Sequence, residues 1–358
     1  MSTDPNNVEG TSIVNSVGGA VAGLRDGSSS LLRTMSPIPF LFGSSNKSRN
    51  NRQLTSKEKK YFTNVEKALS YFESVDEWAD YISYLTRLQK TIQSYRPEET
   101  RWIPKDFEIS KTLSKCLSPK LPSGVHRKGL EVYSVIFDIL GETNLGNDIN
   151  IWLPGLLPLM PYASITVKPE ILGLFSKYIA TLDQSIIRVI LKSVLLSLLS
   201  GLDDTTSESF GPTIELIDSF KTHLKDDSHF WQCLFLCIIT SPDKRTGAME
   251  WCIKKLPSFT VIQEEGETQH SQISHSSEST TTITTKTGAT STLNSTDIWN
   301  NKHEKEKILK GLSKDAKACV SPEPGLLIRA FAEGLNDENV FVQRGFFDLL
   351  ISRLHLDS

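Results

Sequence analysis

From Lys57 to Leu256, one stretch after another places its apolar side chains three and four residues apart. That spacing gathers them on one face of a helix, whereas a half-buried strand needs strict alternation, which no stretch here shows. The chain is thereby confined to an all-α fold. Tyr61, Val65, Ala68, Leu69 and Phe72 share the first such face. Ser74-Val75-Asp76-Glu77 has the pattern of a capping box, in which the Ser accepts a backbone N–H and the Glu reaches back. It predicts a helix with Trp78, Ile82, Leu85, Leu88, Ile92 and Tyr95 on one stripe, followed by Pro97.

Pro104 suits the first position of the next helix, lined by Ile109, Leu113 and Cys116 and closed by Pro119. Ser123 can cap a helix carrying Val125, Gly129, Val132, Tyr133, Ile136 and Leu140, with Gly141 where a left-handed cap is needed. Pro154, Pro158 and Pro161 then break an apolar run, so 151–162 reads as short, buried, kinked turns. Pro169 opens a helix with Ile171, Leu174, Phe175, Tyr178 and Leu182 on one side. Residues 185–200 are almost wholly apolar, with one polar stripe of Ser185, Arg188, Lys192, Ser197 and Ser200. Such a helix is buried with only the stripe wet. At Ile186–Leu199, with two cations inside, it reads as too short to span a bilayer. Faces carrying Thr213, Ile217, Phe220 and Leu224, then Phe230 to Thr240, then Ala248, Trp251, Cys252 and Leu256 follow. After an interruption, Ile308, Leu312, Ala316 and Cys319 share a face, and Leu326–Leu335 and Val340–Leu354 read as two packed helices joined by residues 336–339.

Two segments dilute this pattern. Residues 1–55 are rich in Ser, Gly and Asn, and 17 of the 31 residues 266–296 are Ser or Thr. So little apolar surface cannot offset the entropy of ordering, so both are expected to be disordered. Within the first, Ile13, Val17, Val21 and Leu24 recur at helical spacing among uncharged neighbours. That pattern also suits a helix on a loosely packed membrane surface, although its glycines weaken it.

A net charge of −3 with scattered Lys and Arg provides no basic stripe for nucleic acid. Five cysteines inside apolar helical stretches, an odd number without a loop-rich framework, point to reduced thiols in a cytosolic or nuclear compartment. No basic segment precedes an uninterrupted apolar core near Met1, so no secretory signal is expected.

Three segments resemble one another: VHRKGLEVYSVIFDIL from Val125, DKRTGAMEWCIKKL from Asp243 and VQRGFFDLLISRL from Val342. Each sets an Arg (Arg127, Arg245, Arg344) just before a Gly (Gly129, Gly247, Gly345) and an apolar helix. The small residue allows close helix approach, and the Arg can cap or bridge layers. This is the logic of an α-solenoid of HEAT- or armadillo-like helix pairs, in which each unit buries its face only by stacking.

Chemistry is hard to find. His229, Cys233 and Cys237 fall at i, i+4 and i+8. Ligands eight positions apart are about 12 Å apart along the axis, too far for one tetrahedral zinc. They read as small groups facing a neighbouring helix. His126 suits a capping or exposed role. Asp203-Asp204 and Asp226-Asp227 suit helix ends, and Gly18, Gly19 and Gly23 follow no strand that would make a phosphate loop. No catalytic, cofactor-binding or metal residues are assigned, and partner-binding residues are left open.

The segments YISYLTRLQKTIQS, LPSGVHRKGLEVYSVIFDILG, DINIWLPGLLPLMPYASITVKPEILGLF, FWQCLFLCIITSPDKRTGAMEWCIKKLP and LIRAFAEGLNDENVFVQRGFFDLLISRL resemble the N-terminal region of the Dopey family. The resemblance covers about Ser56 to Pro257 and Ser321 to the end. It implies part of a very large, non-enzymatic, cofactor-free peripheral protein on the cytoplasmic face of Golgi and endosomal membranes and in the cytosol. The family acts in endosome-to-Golgi retrograde transport. It is linked to a Sec7-related Golgi scaffold, a phospholipid-flippase ATPase and, in animals, kinesin light chains. Phosphoinositide binding is attributed to the other end of the long proteins. The expected organisation is a disordered tail (1–55), a helical-repeat region (56–260), a disordered insert (261–302) and further helical repeats (303–358), ending within the array. The expected role is a scaffold or adaptor. The alternatives are a motor-cargo adaptor, or a lipid-handling module whose groove would lie at 151–162.

Overall fold

The structure, a computed structural model, describes residues 54–95, 101–259, 311–321 and 323–354. The expectations for the tail and the insert, including the Ile13–Leu24 spacing, lie outside the described residues, apart from Leu54 and Thr55. The described residues hold thirteen α-helices and no strand, so the fold is all-α. They are α1 (Ser56–Ser70), α2 (Trp78–Gln93), α3 (Asp106–Cys116), α4 (Ser123–Asn147), α5 (Ile149–Leu156), α6 (Lys168–Leu174) and α7 (Gln184–Leu199). Then follow α8 (Phe210–Leu224), α9 (Asp227–Thr240), α10 (Arg245–Lys255), α11 (Lys314–Val320), α12 (Pro324–Leu335) and α13 (Val340–Leu354).

Local chemistry sets most of the ends. Thr55 and Glu58 form a true capping box on α1, with the Thr55 N–H donating to Glu58 Oε2 at 2.7 Å. The box expected at Ser74 is not used. Ser74 ends a 3-10 turn and bonds back to Tyr71 O, and α2 starts only at Trp78, where the Glu77 N–H donates to Asp80 Oδ2 at 3.2 Å. Trp78 leaves the expected stripe and is 60% exposed, while Leu85, Leu88 and Ile92 are buried as expected. Pro104 and Ser123 also miss their expected roles. Pro104 lies in the turn before α3, which begins at Asp106 with Lys105 left-handed (φ 55°), and Ser123 is the first helical residue after an N-cap at Pro122. Gly141 takes a positive φ of 66° as expected, but the chain turns helical again beyond it.

The proline run behaves as read: α5 carries Pro154 and passes into a 3-10 segment at Leu157–Tyr162. Trp152, Leu156, Leu159 and Met160 there are wholly buried, so side chains fill the place proposed for a lipid groove. The helix opened by Pro169 continues as a single π-helical turn at Phe175–Ile179. The polar stripe of α7 is shorter than expected. Ser197 is buried and donates to Leu157 O at 2.8 Å, and Ser200 is buried too. The run Gln184–Leu202 is, contrary to the reading above, long and apolar enough to cross a membrane by length and composition. In this fold it is a core helix, with Ile187, Leu191, Val194, Leu195 and Leu198 fully covered.

Packing follows three columns. In the first, α2 packs on α4, α4 on α6 and α6 on α8. In the second, α3 packs on α5, the 3-10 continuation of α5 on α7, α7 on α9 and α9 on α12. In the third, the 3-10 turn 157–162 packs on the turn Ser200–Leu202, that turn on α10, and α10 on α13. Bonds between successive layers keep a common stride. Ser110 donates to Ile151 O (41 residues on), Tyr162 to Leu117 O (45), His223 pairs with Leu182 O (41) and His229 with Arg188 O (41). Beyond residue 259 the stride jumps: Arg245 reaches Asp337 (92 residues) and Glu333 (88), and Gln232 reaches Ser321 O (89).

The three Arg–Gly segments therefore do not hold equivalent places, as the sequence reading had it. Those from Asp243 and Val342 form α10 and α13, successive members of the third column. The one from Val125 lies in α4, in the first.

Candidate functional site

The interior is spoken for. Burial of large apolar side chains, each worth roughly 1.5–3 kcal/mol, fills all three columns, with Trp152, Trp231 and Trp251 fully covered. All five cysteines are buried and unpaired. Burial pushes the Cys233 thiol up to about 11 and the Cys116 thiol up to about 12, so neither is a thiolate near neutral pH. His229 Nε2 donates to Arg188 O at 3.0 Å, Cys233 Sγ lies 3.4 Å from it, and Cys237 Sγ faces Lys192 O at 3.7 Å. The i, i+4, i+8 set thus turns toward α7, as its spacing suggested. Among the described residues no group of three His, Cys, Asp or Glu could hold a metal ion. His126 departs from its expected exposed or capping role: it is buried and donates from Nε2 to Ser118 O at 2.8 Å.

The paired carboxylates serve the helix ends. Asp226 caps α9 by accepting the His229 N–H and pairs with Arg188. Those contacts, the backbone N–H first, hold its carboxyl below the usual range. Asp204 accepts from the Thr206 N–H and hydroxyl, which lowers its carboxyl as well. Asp203 is raised, chiefly by burial. Its neighbour in space is Gly247, where α10 comes so close to the end of α7 that a Cβ would collide with the Leu199 carbonyl.

Among the described residues, two concave places on the surface bear on function. One lies between α4 and α6, about 230 Å³, lined by Leu130, Ser134, Leu174 and Tyr178 among others. Each of its three lining charges is matched by a neighbour: Glu170 by Arg127 at 2.6 Å, Glu131 by Lys128 at 2.6 Å and Lys177 by Asp138 at 3.2 Å.

The other is a trough of about 830 Å³ between α1 and α2. The two helices pack through Tyr61, Val65 and Ala68 against Leu85, Leu88 and Ile92, and Tyr61 donates its hydroxyl to Ile92 O. Ala68 and Ile82 line the trough, and Lys67, Arg87 and Lys90 rim it with no carboxylate in the lining. The Arg87 guanidinium lies 4.2 Å from the Tyr71 ring centroid, a cation–π contact that fixes its direction. None of the three cations has an ion pair with a described residue. Sequence reading missed this site. Only Arg87 and Lys90, at i and i+3, share a helix, and Lys67 joins them through the packing of α1 on α2.

By class, the described residues form a layered all-helical body with charged and concave outer surfaces. The sequence comparisons sharpen this. The family model described as "Dopey, N-terminal" matches residues 55–358. The chain is 40% identical over 313 residues to Protein DOP1 of Saccharomyces cerevisiae, covering 86% of this chain and 18% of that protein. It is 34% identical over 314 residues to Protein dop1 of Emericella nidulans (84% and 15%) and 40% identical over 188 residues to Protein DOP1B of Mus musculus (52% and 8%). No solved structure matches. The chain belongs to the Dopey family, and it spans less than a fifth of the length of these relatives.

Proposed function

We propose that this chain is a non-enzymatic α-solenoid scaffold in membrane traffic, made of HEAT- or armadillo-like units, and that it works through protein–protein contacts. The carrying observation is the stride of about 40 residues between layers, kept by four side-chain bonds from Ser110 to His229. HEAT and armadillo units have periods of roughly 40–47 residues. In such an array each unit touches mainly its neighbours, leaving long outer surfaces for partners. Family membership supports endosome-to-Golgi retrograde transport on the cytoplasmic face of Golgi and endosomal membranes. It also supports three partner classes: a Sec7-related Golgi scaffold, a phospholipid-flippase ATPase and a kinesin light chain.

Affinity capture from cytosol and solubilised Golgi membranes with the whole chain as bait tests this reading. Recovery of one of the three classes in stoichiometric amount is the expected result. Recovery of none, with a bait that melts cooperatively, would remove the scaffold role.

A further inference from the structure

We propose that the trough between α1 and α2 is a docking site for an acidic peptide segment of a protein partner. This rests on the scaffold reading and names the surface and the chemistry that would serve it.

Three features of the trough select its occupant. First, its charge is one-sided. Lys67, Arg87 and Lys90 converge on it, no carboxylate lines it, and none of the three is paired with a described residue. The nearby Glu66 is turned to Lys105, at 3.7 Å. The groove between α4 and α6 shows the contrary arrangement, with Glu131, Glu170 and Lys177 in its lining each already matched to an opposite charge. An unmatched cation cluster gives an incoming anion its full attraction, with no internal pair to break first.

Second, both threonine hydroxyls of the lining are already engaged as donors. Thr86 donates to Ile82 O at 2.8 Å and Thr91 to Arg87 O at 2.9 Å, both along their own helix. The charged donors in the trough are therefore the three cations, and Asn64, Tyr71 and Ser83 add only neutral polar groups. Arg87, steadied on Tyr71, presents a flat fork that fits a carboxylate with two parallel bonds.

Third, the shape is a trough with an apolar floor. From Ile82 to Ser94 it runs about 18 Å along α2, which an extended peptide of about six residues spans. Ala68 and Ile82 offer apolar contact beneath the charged rim. A single headgroup would use only a fraction of this length. An anionic bilayer laid along the hairpin would also meet the exposed carboxylates of Glu73, Asp76, Glu77 and Asp80 at its turn. The geometry thus favours a peptide in which acidic side chains alternate with small apolar ones.

The probe is a fluorescein-labelled peptide of alternating Glu and Ala, with its Gln counterpart, measured by anisotropy against the whole chain. The Glu peptide should bind at least about tenfold more tightly than the Gln peptide, and the difference should shrink as salt is raised. K67E/R87E/K90E should lose at least about tenfold, whereas K57E/K59E/K60E, on exposed lysines outside the trough, should change little. Ser83→Trp adds no charge but fills the trough, and it should also weaken the Glu peptide. Melting curves establish that each variant is folded.

Equal loss in the two charge-reversal variants would reduce the effect to general electrostatics and overturn the site. So would unchanged binding by the trough variants. Vesicles of phosphatidylcholine with about one fifth phosphatidylserine should not float the chain; flotation lost in K67E/R87E/K90E without peptide binding would assign the trough to lipid. If that variant still captures the proteins recovered by the unaltered chain, the scaffold reading stands and the docking site falls.

Discussion

Two junctions between layers use the same chemistry in opposite settings. Where α4 meets α6, Arg127 pairs with Glu170, and its side chain is 56% exposed. Where α10 meets α12 and the turn before α13, Arg245 pairs with Asp337 at 2.9 Å and Glu333 at 3.0 Å, and its side chain is 7% exposed, that of Asp337 8%. Arg245 also donates to Ile238 O at 2.8 Å, so its fork is satisfied on three sides. In sequence the two arginines look alike, each just ahead of a glycine and an apolar helix. What separates them is the column. The first column turns its charged residues outward, whereas α10 is covered by α13 on one side and by the end of α7 on the other. A charge in the second setting is costly to leave alone; in the first, water replaces the partner.

The sharpest way to break this comparison is Arg245→Ala. It leaves Asp337 buried without its cation, and removing one partner of a buried pair costs roughly 3–5 kcal/mol. The expected outcome is a large fall in the urea midpoint. The double variant R245M/D337L should recover part of it, since paired apolar replacement is often tolerated. A midpoint unchanged in R245A would show that the junction is solvated and the two settings equivalent.

Gly247→Ala comes next. Here the obstacle is the Leu199 main chain, which cannot rotate aside as a side chain can. Overpacking costs about 1–3 kcal/mol and sometimes more, and Gly247→Ala should sit at the upper end, read as a drop in melting temperature. Gly129 marks the contrast on the first-column side. A Cβ there would stand 3.0 Å from Leu117 Cδ2, the movable end of a side chain. Gly129→Ala should therefore be nearly neutral, and Gly129→Leu should cost about 1–2 kcal/mol. Equal losses for Gly129→Ala and Gly247→Ala in parallel melts would remove the distinction between backbone and side-chain contact.

How much of this could be read from sequence follows from who bonds to whom. The ends of α12 and α13 were legible to within about two residues, because period and turn chemistry agree there. The exposure of Trp78 was not. Periodicity tells which face of a helix is apolar, not how far along it the neighbouring helix extends. The three-column order was hidden for another reason. Its bonds run from Ser110, Tyr162, Ser197, His223 and His229 to main-chain carbonyls, which any residue supplies. No matching side chain recurs to betray the stride, so the Arg–Gly likeness drew together segments of different columns. The trough was hidden because its cations lie on two helices.

Acid should separate the junctions more gently. Asp226, between α7 and α9, has its carboxyl held down by the His229 N–H and by Arg188. A group with a lowered folded-state pKa contributes stability above the ordinary carboxylate range, and loses it as pH falls through the depressed value. In the wild type, stability should fall below about pH 4. Asp226→Asn keeps an N-cap acceptor but has no such titration, so its acid limb should be shallower. Identical limbs would mean that the Arg188 pair is solvated in solution.

The smallest effect is expected at Arg127→Ala. Its pair with Glu170 is exposed and open to counter-ions, and such pairs are worth about 0–1 kcal/mol. The melting temperature should move little at low salt and not at all at high salt. A loss comparable to that of Arg245→Ala would mean that α4 and α6 are bound by this one contact. The apolar packing of the first column would then contribute less than its burial implies. If the loss vanishes as salt rises, the pair fixes the register of two layers already held by Leu130 and Leu174, which are buried on α4 and α6.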